Sequence, residues 1–272
     1  MLRASFICLP GVGEEAEQKL WRAGCLQWEH FEALGRPLFS ERKSRQLSKA
    51  IEEAKRALAL RRPDYFLHRL PPAHRGRVLS DFRVEIGYLD VETTGLSARD
   101  TITTAVLYRP DRLNLYVNGR NLFDLIEHLT DCRLLVTFNG TRFDIPVLEK
   151  TLRMDLLIPH LDLMPVMRAL GHRGGLKAVE NRLGIERLTG DTNGRTAVDL
   201  WTRFADQGDV DCLRRLLCYN AEDALSLEDL MTYTYSQSMS GLPVKPTVPI
   251  TRAAPDVSAI VDRFLSEMHF GK

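Results

Sequence analysis

Cysteine is scarce in this 272-residue chain: Cys8, Cys25, Cys132, Cys212 and Cys218 are odd in number and form no CxxC pair. That argues against a structural zinc site and against a disulfide framework, and leaves buried or incidental free thiols. Long apolar runs are also missing. No stretch approaches the roughly 18 residues expected of a membrane span. The start, Met1 to Pro10, is too short and too soon broken by proline for a signal peptide. The cytoplasm is the expected compartment. Net charge is nearly absent as well, at +1. The balance hides an asymmetry, because residues 1–80 carry 15 Lys and Arg against 9 Asp and Glu, and the remainder 22 against 27. A basic arm beside an acidic domain suits an electrostatic grip on a polyanion; a solvated helix face is the plain alternative.

What is present suits a soluble globular protein: 44% of residues are hydrophobic and 27% charged. Leu9-Pro-Gly-Val-Gly13 reads as a tight loop, followed by a helix from Glu14 to Ala23 that Gly24 stops. A short helix is expected over Trp28 to Leu34, and a long amphipathic one over Arg42 to Leu60, with Leu47, Ile51, Ala54 and Leu58 near helical spacing. We read residues 1–70 as a basic helical module and 71–82, rich in proline and glycine, as a linker.

The texture changes after Asp81. Val84 to Val91, Thr101 to Tyr108 and Leu113 to Asn118 read as an antiparallel meander. Leu122 to Leu129 is helical, Leu134 to Phe138 a buried strand, and Leu161 to Leu163 a further short strand. Helices are expected from about Asp144, over Leu176 to Leu183, Ala197 to Ala205 and Val210 to Tyr235. The pattern predicts an α/β domain over 83–235, with a mixed five-stranded sheet of meander plus parallel strands flanked by helices. A Pro- and Thr-containing linker, Pro243 to Pro255, then leads to a tail helix over Val257 to Met268.

Three short motifs carry chemistry. In Tyr88-Leu-Asp90-Val-Glu92-Thr93-Thr94-Gly-Leu96, strand alternation puts Asp90 and Glu92 on one face. Their repulsion asks for a cation, and Mg²⁺ or Mn²⁺ prefers such hard oxygens; a strand end turning into solvent would look the same. In Phe138-Asn139-Gly-Thr-Arg-Phe143-Asp144-Ile-Pro146, Asn-Gly makes a turn and Asp144 opens a helix. By itself Asp144 reads as an N-cap. In Tyr219-Asn-Ala-Glu-Asp223, Tyr219 and Asp223 share a helix face; alone they could be a buried tyrosine and a surface aspartate.

Taken together and in this order, the three motifs resemble those of the DEDD exonucleases of RNase H-like fold, in the tyrosine-bearing DEDDy branch. The histidine branch would need His where Cys218 stands. Asn139, Gly140, Phe143, Asp144 and Pro146 resemble the proofreading domain of family B DNA polymerases. Within the superfamily the chain looks most like bacterial YprB-type RNase H-like domain proteins, whose members often carry an upstream Leu-Pro-Gly-x-Gly. The resemblance covers about residues 83–235. It implies two divalent cations, Mg²⁺ or Mn²⁺, one held by Asp90, Glu92 and Asp223 and the other by Asp90 and Asp144. It implies that Tyr219 orients the attacking water, since an ordinary phenol pKa near 10 suits positioning better than proton removal. Main-chain groups at Thr93 and Thr94 would face the terminal nucleotide, and Leu96 would wedge against its base.

Weaker signals remain. Gly11 and Gly13 resemble the hairpin half of a helix-hairpin-helix and could let backbone N–H groups approach phosphate, but only eight residues precede the loop, and a simple loop is the alternative. His172-Arg-Gly-Gly-Leu-Lys177 could touch a nucleic-acid backbone through Lys177, and reads equally well as a plain helix-entry loop. His160 and His172 fit no metal spacing. Trp21, Trp28 and Phe31 fit the core of the small module better than base stacking. The expected activity is 3′–5′ exonucleolytic hydrolysis of single-stranded nucleic acid, DNA ahead of RNA, to nucleoside 5′-monophosphates. Rivals are the same chemistry on RNA, a non-catalytic nucleic-acid-binding scaffold, and a strand-transfer or junction activity on the same fold.

Overall fold

The computed structural model describes residues 1–95, 101–187, 194–240, 242–243 and 255–268. Contacts divide the chain into two units, one of Met1–Arg83, Pro165–Gly171 and Met231–Thr251, the other of Val84–Met164, His172–Leu230 and Arg252–Lys272.

The first unit is helical. Gly13 is the N-cap of α1 (Glu14–Arg22), and Ser40 caps α2 (Glu41–Ala59) by accepting from the Lys43 amide. Leu47, Ala50, Ile51, Ala54 and Ala57 form the buried face of α2, as its periodicity predicts. Pro63 opens the short α3 (Pro63–Leu67). Trp28 to Gly35 departs from the expected helix: it is a 3₁₀ turn over Trp28–His30 and then a π turn over Phe31–Gly35. A Cβ on Gly35 would lie 2.6 Å from Phe31 and 2.8 Å from Leu20, so close packing there sets the backbone. Trp28 and Phe31 are fully buried core, as expected.

Residues 71–82 correct the expectation of a linker. Pro72–Val78 is 3₁₀ and α4 (Leu79–Phe82) follows directly. Val78, Leu79 and Phe82 are buried, and a Cβ on Gly76 would meet the Thr234 carbonyl carbon at 2.5 Å. The glycine that suggested a flexible connection is there for a close backbone approach. Arg77 is buried too, and its Nη1 donates to Glu17 Oε1 at 2.8 Å. The helical module therefore extends to Arg83 and also takes in the end of the longest helix.

The second unit holds the sheet. Its strands are β1 (Ile86–Thr93), β2 (Ile102–Arg109), β3 (Arg112–Val117), β4 (Leu134–Thr137) and β5 (His160–Asp162), in the order β3-β2-β1-β4-β5. The β1–β2 and β2–β3 pairs are antiparallel; β1–β4 and β4–β5 are parallel. This is the mixed five-stranded sheet that the sequence pattern predicts. Leu89 and Val91 of β1 join a core with α5 (Leu125–Thr130) and α6 (Asp144–Leu152), including Leu125, Leu129, Leu148 and Leu152. The segment expected as one helix from Leu122 begins as a 3₁₀ turn over Leu122–Asp124.

Leu163 is not strand. Asp162 accepts from the Met164 amide at 3.0 Å, which ends β5 and starts α7 (Leu163–Ala169), with Pro165 in its first turn. The later helices are α8 (Leu176–Leu183), α9 (Gly194–Gln207), α10 (Val210–Met239) and the tail helix α11 (Val257–Glu267). Ala197 and Leu200 of α9 pack on Cys212, Leu216 and Tyr219 of α10. Arg214 of α10 pairs with Asp262 of α11, so the tail helix packs within this unit. All five cysteines are free and buried. No helix among the described residues is long and apolar enough to cross a membrane.

Candidate active site

Strand alternation builds the site from β1. Leu89 and Val91 face the α5–α6 core, so Tyr88, Asp90 and Glu92 share the opposite face, toward α10. There Tyr108, paired with Tyr88, donates to Glu228 of α10 at 2.8 Å. The register of β1 and β2 shifts between Glu92 and Thr93, a bulge that turns the strand end. Asp90, Glu92 and Asp223 each offer a carboxylate oxygen, and these three atoms lie within 4.8 Å of one another. Tyr219 stands one turn before Asp223 on α10 and acts to lower the pKa of its carboxylate.

Asp144 is the first residue of α6 and not its cap: Phe143 holds the cap position without a side-chain bond. The Asp144 carboxylate turns to β1, where it accepts from the Val91 amide at 3.3 Å. The loop before it is fixed from below. Asn139 takes a left-handed conformation (φ +63°), which asparagine tolerates. Asp162 accepts from the Asn139 amide at 2.8 Å and the Thr141 amide at 3.2 Å. A Cβ on Gly140 would lie 2.0 Å from the Thr137 hydroxyl, so only glycine fits. His160 bonds that same hydroxyl at 2.8 Å, a structural role in keeping with its lack of metal spacing.

A cavity of about 550 Å³ opens beside the carboxylates, lined by Asp90, Glu92, Thr93, Thr94, Phe138, Asn139, Phe143, Asp144, Val198 and Asp199, among others. It lies at the carboxyl end of β1 and β4, where α/β sheets place their ligands. Thr93 donates to the Gly95 carbonyl, and the Thr94 amide donates to Thr101 at 3.0 Å. Lys177 Nζ lies 5.3 Å from the Tyr219 ring centre, which places it at this site. Leu96 lies outside the described residues. Gly11 and Gly13 belong to the other unit; Gly11 is left-handed (φ +66°), and Lys43 Nζ donates to the neighbouring Pro10 carbonyl at 2.6 Å.

Burial and mutual repulsion govern the electrostatics. Burial first, then Asp223, Asp144 and Glu92, hold the Asp90 carboxyl well above the usual carboxylate range. Burial and the Asp223 and Asp144 charges push Glu92 to about 8. Burial raises Asp144 to about 7 against two backbone hydrogen bonds, and Asp223 to about 6 against the Arg187 charge. Burial and the neighbouring carboxylates also raise the Tyr219 phenol. An all-carboxylate oxygen set under such repulsion fits a hard divalent cation. Asp90, Glu92 and Asp223 are close enough to share one.

Sequence reasoning missed the residues that hold these groups. Asn220 donates from Nδ2 to Asp90 Oδ2 at 2.6 Å and accepts from the Thr104 hydroxyl at 2.9 Å. Arg187, just beyond α8, bonds both Asp223 and the buried Glu180. Asn220 had a usable signal, since it sits inside the third motif. Arg187 had none, because its partners come from α8 and α10 and its spacing to them carries no pattern.

Residues 87–235 match the RNase H superfamily. That span is more than half of the chain. The protein belongs to the RNase H superfamily. A solved structure, the family B DNA polymerase from the hyperthermophilic archaeon Pyrobaculum calidifontis, is 20% identical over 58% of this chain and 26% of its own, with a TM-score of 0.43. The chain thus spans about a quarter of that polymerase. No curated protein matches the sequence. Membership assigns residues 87–235 to an RNase H-like domain.

Proposed function

We propose that this RNase H superfamily protein is a two-metal 3′–5′ exonuclease of the DEDDy type, releasing nucleoside 5′-monophosphates from single-stranded nucleic acid. The observation that carries the reading is the convergence of Asp90, Glu92 and Asp223 within 4.8 Å, with Tyr219 one helical turn from Asp223 and Asp144 lining the cavity beside Asp90 and Glu92. Asp90, Glu92 and Asp223 would hold one cation, and Asp90 with Asp144 a second. Divalent ions bound there supply Lewis acidity and a lowered water pKa for in-line phosphoryl displacement.

The protein's own groups do the rest. The raised phenol of Tyr219 keeps its proton and orients the attacking water. The Val91 amide holds the Asp144 carboxylate in place. Phe138, Phe143 and Val198 give the cavity an apolar wall for the terminal base, with Thr93, Thr94 and Asn139 near its sugar and phosphate. Leu96 would wedge against that base. Lys177 adds positive charge for the backbone, and the glycine loop at Gly11 and Gly13 would meet phosphate further along the strand. A cavity of this size suits a ligand of nucleotide scale. The preference for DNA rests on the likeness of the Asn139 to Pro146 motif to polymerase proofreading domains.

The test is degradation of a 5′-labelled single-stranded DNA oligonucleotide beside its RNA twin, with Mg²⁺ or Mn²⁺ and with Asp90→Ala as control. A descending ladder that needs metal and Asp90 is the expected result, and the faster twin assigns the sugar. Binding of both strands by wild type and variant without cleavage would overturn the exonuclease in favour of a scaffold.

A further inference from the structure

Arg187 is a site residue whose hydrogen-bonding capacity is left incomplete. Its Nε donates to Glu180 Oε2 at 2.8 Å and its Nη2 to Glu180 Oε1 at 2.9 Å. Glu180 is fully buried, so the guanidinium is held side-on by a carboxylate that has no solvent to turn to. Nη2 also donates to Asp223. The remaining nitrogen, Nη1, is buried and has no partner among the described residues.

A structural ion pair does not account for this arrangement. Glu180 alone neutralises the charge and satisfies one edge of the group. A buried donor left without an acceptor is a standing penalty in the folded protein. The guanidinium is planar and rigid, so fixing Nε and Nη2 also fixes where Nη1 lies. Its central carbon lies 5.6 Å from the Tyr219 ring centre. An anionic oxygen of a bound ligand would supply the missing acceptor, the kind that suits arginine best.

We infer that Arg187, anchored by Glu180, is a catalytic residue that donates from Nη1 to a non-bridging oxygen of the scissile phosphodiester and keeps that bond to the released 5′-monophosphate. The inference rests on the exonuclease reading for the identity of the phosphate. Arg187 faces charge that builds on the phosphoryl oxygens, while Glu180 shares the guanidinium with Asp223 and fixes its orientation.

The test is calorimetric binding of deoxyadenosine 5′-monophosphate and of deoxyadenosine to the full chain in Mn²⁺, for wild type, Arg187→Ala and Arg187→Lys. Loss of one charge-assisted hydrogen bond predicts about a 10- to 100-fold weaker monophosphate in Arg187→Ala, with deoxyadenosine unchanged and Mn²⁺ alone bound at least as tightly. Arg187→Lys keeps charge but loses the fork, so it falls between. Equal monophosphate affinity in wild type and variant overturns the role; so does a parallel fall for both ligands, or a loss that tracks weaker Mn²⁺ binding. If Arg187→Ala fails to fold, Arg187→Lys decides by the same comparison. Oligonucleotide cleavage by wild type is scored separately. Monophosphate selectivity lost in Arg187→Ala without any cleavage by wild type sinks the exonuclease and leaves the phosphate contact standing. Cleavage with unchanged selectivity does the reverse.

Discussion

Asn220 Nδ2 lies 2.6 Å from Asp90 Oδ2, and Asn220 Oδ1 accepts from the Thr104 hydroxyl at 2.9 Å. The relay ties α10 to β1 and β2 at a carboxylate that burial and three neighbouring acids oppose. Asn220 has no solvent exposure, so water cannot take its place. Removing it frees Asp90 to rotate away from its neighbours. Asn220→Ala should lower the cleavage rate about 10- to 100-fold, the size of one hydrogen bond to a charged group. Asn220→Asp should be worse, because it sets a like charge against Asp90. Steady-state rates on the labelled oligonucleotide check this, with circular dichroism to confirm folding. Wild-type rates in both variants would show that Asp90 is oriented by something else.

The carboxylate cluster should make the metal-free protein less stable as pH rises. Glu92, Asp144 and Asp223 titrate at about 8, 7 and 6 in the fold, against ordinary values of 4.5, 3.8 and 3.8. Between those limits the folded protein binds more protons than the unfolded chain. Stability from these groups is therefore complete below about pH 4 and is lost as pH rises through their folded values. The melting temperature without metal should fall from about pH 5 to about pH 8.5. Mg²⁺ or Mn²⁺ should reverse the fall, with a larger rise at the higher pH, since cation binding at about 100 times its dissociation constant adds about 2.7 kcal/mol. Differential scanning fluorimetry in chelator and in metal measures both slopes. Asp90→Asn should flatten them; a slope equal to wild type in that variant would detach the effect from this cluster.

The carboxylates were legible in the sequence because their positions follow from local periodicity. Asp90 and Glu92 share a face by strand alternation, and Tyr219 and Asp223 by one helical turn. The division of the sheet into a meander and parallel strands was legible for a similar reason: a short connection joined two strands of the meander, and helical segments separated the later ones. What stayed hidden depends on contacts between distant segments. Asn220 meets Asp90 across 130 positions and Thr104 across 116. Arg187 gains meaning only from Glu180 and Asp223. Asp144 looked like a cap because its position at a helix start is the same in both roles; only the Val91 amide tells them apart. Residues 71–82 misled because proline and glycine serve both open linkers and tight packing, and Gly76 belongs to the second kind.

In the helical unit, one buried ion pair sets the course of the first residues. Glu17 and Arg77 have side chains 2% and 3% exposed and meet at 2.8 Å. Glu17 also accepts from the amides of Phe6, at 2.6 Å, and Ile7, at 2.9 Å. Arg77 Nη1 reaches the Ser5 hydroxyl at 3.1 Å. The acidic side chain thus satisfies backbone donors that would otherwise be orphaned, and the arginine balances its charge. Arg77→Met leaves Glu17 ionised and unpaired in an apolar setting, and breaking such a pair costs about 3–5 kcal/mol. Glu17→Gln should cost less, because an amide oxygen still accepts from the two backbone donors. In the double variant the buried charges are gone together, so its loss should be well short of the sum of the two single losses. Urea denaturation of the four proteins, read as midpoint and slope, gives the coupling directly. Additive losses would mean that the two side chains stabilise this unit independently, and that the pairing across 60 positions does not hold residues 5–7 against α1.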